Sequence, residues 1–257
     1  RTGRGMTLTQ LGHRILPRVE LILDQHRQLL QDIRSQDGII SGDVRLGIVP
    51  SLAQPIASPL LRSIVENYPQ INLQILEGAT GQLDSWRSDD LIDITVLFRR
   101  GSGELQNEDS LGEVDTYLVG PPGDAVTRNS TVEFSELAGL PLVLAPPPNG
   151  LRTDIEDTAN RLGVDLRVVL ETNSLGVQAE LATNGGAYTI MAGNALAAQM
   201  RARVQASRIV APGIVRTVAL GVASHRPATE ATRVVARLTR LHLESGLRNF
   251  AASAAWL

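Results

Sequence analysis

The chain has 257 residues, a hydrophobic fraction of 43% and a net charge of -3, which is room for one large or two small cored domains of ordinary globular composition. Its lack of cysteine excludes disulfides, thiolate nucleophiles and cysteine-ligated metals. No apolar run approaches the roughly 18 residues of a membrane span and the first residues are not a signal peptide, so a cytoplasmic protein with no membrane partner is expected.

The charge is unevenly placed. Arg1, Arg4, Arg14 and Arg18 have no acid among the first 18 residues, a +4 end against -7 over the remaining 239. Such an arm lies near phosphates or is simply a solvated helix start. The chain opens on arginine in mid-pattern, and an N-terminal part is expected to precede it.

From Thr7 onward, apolar residues recur at Ile15, Val19, Ile22, Leu29 and Ile33, with His26 in the remaining seam position. The spacing alternates four and three, a heptad stripe. Thr7-Leu8-Thr9-Gln10 reads as a capping box with Thr7 as the cap, and Asp37-Gly38 closes the helix. Roughly 28 residues make a rod of about 42 Å, bent near Pro17, which loses a backbone bond. A narrow seam on so long a rod needs a partner helix, so Ile15, Val19, Ile22, His26, Leu29 and Ile33 are the candidate dimerisation residues.

Strands and helices then alternate. Strands are expected at Val44 to Val49, Ile71 to Leu76, Ile92 to Phe98 and Val114 to Val119, with helices from Leu52 to Asn67 and Thr80 to Arg87, and a loop over 99 to 113. Gly120-Pro121-Pro122-Gly123 reads as a reversal or a crossing between lobes. The alternation restarts with a helical turn at Phe134 to Leu137 and strands at Pro141 to Ala145, Leu166 to Leu170 and Ala187 to Met191. Helices fall at Thr153 to Leu162 and Ser174 to Thr183, with another over 194 to 205. Short strands at Arg208 to Ala211 and Ile214 to Val222 precede a closing helix, Thr229 to Ser245. The fold class is α/β, as two lobes with two crossings.

Several stretches carry a family likeness: Arg4-Gly5-Met6-Thr7-Leu8-Thr9-Gln10-Leu11-Gly12, Gly42-Asp43-Val44-Arg45-Leu46-Gly47, Glu77-Gly78 and Leu91-Ile92-Asp93-Ile94-Thr95-Val96. Leu137 to Leu144 and the run Asn184 to Ala192 complete the set. In order and spacing they resemble the LysR-type transcriptional regulators over nearly the whole chain. Asp90, where the family often has Gly, and Ala192, where it often has Pro, depart from the pattern and put local loop shape in doubt.

The resemblance implies two Rossmann-like lobes of the periplasmic-binding-protein type 2, preceded by a linker helix. Residues 1–6 would be the remnant of a winged helix-turn-helix wing and 7–37 the linker and dimerisation helix. The effector-binding domain would be 43–257, with lobe I at 43–117 and 217–257 and lobe II at 118–216. It also implies a small-molecule effector in the cleft, DNA contact through the missing N-terminal domain with Arg1 and Arg4 nearby, and a homodimer or homotetramer. The recognition helix lies outside this chain.

Ligands of open α/β sheets bind at strand carboxyl ends, where helix N-termini offer free N–H groups. Ser51 with the following amide of Leu52 either holds a carboxylate or is a plain helix cap. Arg99 and Arg100, which follow the third strand, either pair with an anionic effector or are a solvated loop pair. Asn149, Gly150 and Arg152 face the cleft if the resemblance holds, with turn chemistry as the alternative. For Asn173, Ser174 and Thr189 the alternative is capping and strand packing. A carboxylate or other anionic effector is expected.

Catalysis is not expected. No G-x-S-x-G occurs, the histidines at 13, 26, 225 and 242 lack metal spacing, and Asp89, Asp90 and Asp93 read as a solvated helix end. No metal or other cofactor is expected. A free-standing solute-binding protein of the periplasmic type is the alternative function.

Overall fold

The structure is a computed structural model, and it describes residues 8–16, 18–19, 22, 39–101, 108–184, 186–196, 203–224 and 227–254. Residues 10–16, 18–19 and 22 are helical. The helix is capped by Thr9, whose Oγ1 accepts from the Gly12 amide at 3.1 Å; Thr7, the expected cap, lies outside the described residues. So do Pro17, His26, Leu29, Ile33, Arg1 and Arg4, and with them half of the expected seam. The three seam residues that are described, Ile15, Val19 and Ile22, are exposed.

Strand β1 (Ser41–Ile48) leads into α1 (Pro50–Asn67), followed by β2 (Gln70–Glu77), α2 (Thr80–Ser88) and β3 (Ile94–Arg100). β1 pairs parallel with both β2 and β3, as βαβ crossovers require. The long β4 (Glu108–Gly120) then crosses to a second lobe. That lobe holds β5 (Thr131–Glu133), a 3-10 turn (Phe134–Leu137), β6 (Pro141–Leu144), α3 (Gly150–Leu162), β7 (Arg167–Glu171) and α4 (Leu175–Asn184). It is completed by β8 (Tyr188–Ala192), a second 3-10 turn (Gly193–Ala195) and β9 (Gln205–Val210). β10 (Val215–Val222) returns to the first lobe, which α5 (Glu230–Ala254) closes.

The strand order β2-β1-β3-β10-β4-β8-β6-β7, with β9 on β4 and β5 on β9, makes β4 and β10 the two links between lobes. From Glu108 to Asp115, β4 pairs antiparallel with β10; from Thr116 to Gly120 its partners are β8 and β9.

Each lobe has its own apolar interior. In the first, Val44, Leu46 and Ile48 of β1 pack with Leu52, Ile56 and Leu60 of α1 and with Val234, Val235 and Leu243 of α5. In the second, alternate residues of β4 serve opposite faces, as a pleated strand dictates. Leu118 joins Phe134, Leu142 and Ile155 on one side, while Tyr117 and Val119 join Ala182, Met191 and Leu196 on the other.

Several expectations need correction. β4 begins at Glu108, not Val114, so the loop is shorter than expected; β3 runs to Arg100, placing Arg99 and Arg100 on the strand. Of the helix expected over 194 to 205, Gly193–Ala195 is a 3-10 turn and Gln205 already belongs to β9, and 197–202 lie outside the described residues. The short strand β5 has no counterpart among the expected elements.

Candidate functional site

Four strand-to-helix connections, β1 to α1, β2 to α2, β6 to α3 and β7 to α4, converge between the lobes. Their helix starts line a cavity of about 110 Å³: Pro50 and Ser51 from α1, Ala79 and Thr80 from α2, Asn149 and Gly150 from α3, Asn173 and Leu175 from α4. A helix start leaves backbone N–H groups without intrahelical acceptors and carries about half a positive charge. Neither α1 nor α2 has a side-chain cap. The cavity therefore has a positive rim without needing many cations. Val49, Phe98, Leu144, Ile155, Ile190 and Met191 give it apolar walls.

Ser51 lines the cavity, but it is not the cap of α1. Val49 holds that position and Pro50 the first helical one, where a missing N–H is no loss. The Ser51 carbonyl accepts from Asn194 Nδ2 at 2.8 Å, tying the lobes together behind the cavity. Leu52 is 1% exposed and belongs to the core of the first lobe, so its side chain does not reach the cavity.

Asn149, Gly150 and Arg152 do line it. Asn149 caps α3 by accepting from the Arg152 amide at 3.1 Å. The Arg152 guanidinium is committed to Glu156 Oε1 at 2.7 Å, Glu171 Oε1 at 2.8 Å and the Ala145 carbonyl at 3.2 Å. Asn173 also lines the cavity, whereas Ser174 faces a more open groove with Gln54, Ile75 and Glu77 and caps α4 by accepting from the Val177 amide at 3.3 Å. Thr189 is fully buried behind the wall and donates to Gln178 Oε1 at 3.1 Å; it positions the lining residue Gln178 and does not itself line the site.

The two strand-end arginines are not in the lining. Adjacent residues of a strand point to opposite faces, and carboxylates meet both. Arg99 forms a two-pronged pair with Asp84 at 2.6 and 2.7 Å and another with Glu108 at 2.6 and 2.9 Å. Those bonds, Glu108 first, raise its pKa and hold it charged. Arg100 reaches across to the second lobe, to Asp154 and Asp157 of α3 at 2.5 Å each.

Thr80, Gln178 and Arg216 line the site as well, and none of them is among the residues expected from the sequence. Arg216 matters most of the three. It sits on β10, one of the two crossing strands, with its side chain 7% exposed and its guanidinium 4.9 Å from the centre of the Phe98 ring. Its Nε lies 3.2 Å from Asp154 Oδ2, close enough to pair as charges, yet no acceptor is aligned for an Nε hydrogen bond. Burial pushes its pKa down, against the pull of Asp154. The signal for it in the sequence is a single arginine inside the apolar run Ile214 to Val222.

Among the described residues, no group of three His, Asp or Glu is placed to hold a metal ion, and no helix is long and apolar enough to cross a membrane.

Comparison with known proteins places this geometry. The regulator DgdR of Burkholderia cepacia is 28% identical over 200 residues, covering 78% of this chain and 64% of that protein. A probable hydrogen peroxide-inducible genes activator of Mycobacterium leprae is 22% identical over 240 residues, covering 93% and 77%. The chain thus spans under two thirds of the first relative's length. Among solved structures, a full-length single-residue variant of OxyR from Pseudomonas aeruginosa is similar with a TM-score of 0.71 at 17% identity, covering 94% of this chain and 79% of that one. The Synechocystis CcmR regulatory domain in complex with 2-PG is similar with a TM-score of 0.69 at 15% identity, covering 78% and 97%. The LysR substrate binding domain model matches residues 37–244, and by that match the chain belongs to the LysR family and carries its substrate-binding domain.

Proposed function

We propose that this chain is the sensing part of a LysR-type transcriptional regulator, which takes a small anionic effector into the inter-lobe cavity. The observation that carries the reading is the convergence of four helix starts and one buried arginine on a single cavity between lobes joined by two strands. In this reading residues 43–257 form the effector domain, with lobe I at 43–117 and 217–257 and lobe II at 118–216. Residues 7–37 are a linker helix that dimerises or builds a tetramer, and residues 1–6 adjoin a DNA-binding domain. The protein works in the cytoplasm and binds its ligand without turning it over. The matched relatives are regulators, which weighs against a free-standing solute-binding protein. These residues contain no cysteine, so they respond to ligand rather than through thiol oxidation.

Thermal-shift screening with small carboxylates, inorganic anions and neutral compounds tests the proposal. A ligand at 100 times its Kd adds about 2.7 kcal/mol, a rise of about 5–10 °C for a domain of this size. Stabilisation by neutral compounds alone refutes it.

A further inference from the structure

Resting on the effector-site reading above, we propose that Arg216 and the amide end of α3 form the carboxylate anchor of the site, and that the effector is a monocarboxylate with a compact apolar body.

Three observations make this anchor. The Arg216 side chain is 7% exposed, lines the cavity and leaves Nε without a hydrogen bond. Its guanidinium lies 4.9 Å from the centre of the Phe98 ring, and its forked donors suit two-pronged recognition of a carboxylate. The position a Cβ at Gly150 would occupy is 2.6 Å from Arg216 Nη2. No side chain separates the guanidinium from the start of α3, so one anion meets the arginine and the first amides of that helix together.

The charge arithmetic selects a monoanion. Arg152, the other lining cation among the described residues, has its guanidinium engaged by Glu156, Glu171 and the Ala145 carbonyl. One buried cation remains, and it is shared with Asp154 at 3.2 Å. A bound carboxylate draws Arg216 away from Asp154, and Arg100 still holds Asp154 at 2.5 Å, so no carboxylate is stranded. A dianion finds no second cation. Beyond the anchor the walls are apolar, from Leu144, Ile155, Ile190 and Met191, and favour a hydrocarbon body over a polar one.

Titration calorimetry on this 257-residue chain decides the matter, with benzoate, 3-methylbutanoate, their neutral amides and sulfate as probes. Wild-type protein should bind a carboxylate at least about tenfold more tightly than its amide and than sulfate. Arg216→Met should weaken carboxylate binding by about 10- to 100-fold, the worth of a charge-assisted bond, and weaken amide binding far less. Gly150→Ala, which crowds the anchor while keeping both charges, should weaken the carboxylate selectively and serves if Arg216→Met does not fold. Carboxylate affinity unaltered in either folded variant overturns the anchor and leaves the effector-site reading intact, as does sulfate binding more tightly than both carboxylates. Binding of no anion at all overturns that reading as well.

Discussion

Replacing Asp154 with asparagine isolates the electrostatics of the inter-lobe contact, because it removes one charge and keeps the shape. The Asp154 carboxylate is 9% exposed and serves two arginines. Arg100 is 59% exposed and keeps Asp157, so its share of the loss is about 0–1 kcal/mol. Arg216 is 7% exposed and is left as a buried cation without its counter-charge, a loss of about 3–5 kcal/mol. At about 2–4 °C per kcal/mol for a domain of this size, calorimetry should show the melting temperature of Asp154→Asn fall by about 6–20 °C. The double variant Asp154→Asn with Arg216→Met removes both charges, which is often nearly neutral, and should recover most of that fall. A single variant melting within about 2 °C of wild type, or a double variant no better than the single, refutes the view that Asp154 exists to neutralise Arg216.

Two further outcomes follow from packing and titration. A Cβ at Gly47 would stand 2.9 Å from Leu83 Cδ2 and closer still to the Ile92 side chain, both fully buried. Gly47→Ala should therefore lower stability by about 1–3 kcal/mol, read as a lower urea midpoint with an unchanged slope. The Tyr188 phenol is pushed up to about 12 by burial and by its 2.9 Å hydrogen bond to Asp124. Its contribution is complete below the ordinary phenol value of about 10 and is lost as pH rises from there to about 12. Phenolate absorbance should show a late-titrating tyrosine that Tyr188→Phe abolishes, and an ordinary titration there contradicts the assignment.

The elements with plain periodicity are legible in the sequence. β1, β2, α1, α3 and the return strand β10 fall within a few residues of their expected bounds, and the buried faces of β1 and α1 are apolar throughout. β4 reads short because Glu108, Asp109 and Ser110 look like loop residues. Glu108 enters the strand only because Arg87 and Arg99 bind it, at 2.6 Å each, from α2 and β3. Burial alone would push Glu108 up; those two arginines outweigh it and hold its carboxyl below the usual range. Local sequence cannot show a counter-charge supplied by residues 9 and 21 positions away.

The candidate site is legible in the same measure. Ser51, Asn149, Gly150 and Asn173 follow from the rule that helix starts gather at strand ends. Arg99 and Arg100 do stand at a strand end, but their carboxylate partners come from α2, β4 and α3. Arg216 escapes a reading of the sequence because the strand around it is apolar. What makes it a site residue is the arrival of Phe98 and Gly150 beside it.

The passage of the chain out along β4 and back along β10 fixes an order of assembly. The second lobe is one contiguous stretch, whereas the first needs α5, whose His242 meets Ser63 of α1 at 2.9 Å across 179 residues. On the ribosome the inserted lobe has all its strands before the outer one has its last helix. The outer lobe must wait with Leu52, Ile56 and Leu60 already made and Val234, Val235 and Leu243 still to come, so it is the half that chaperones should meet.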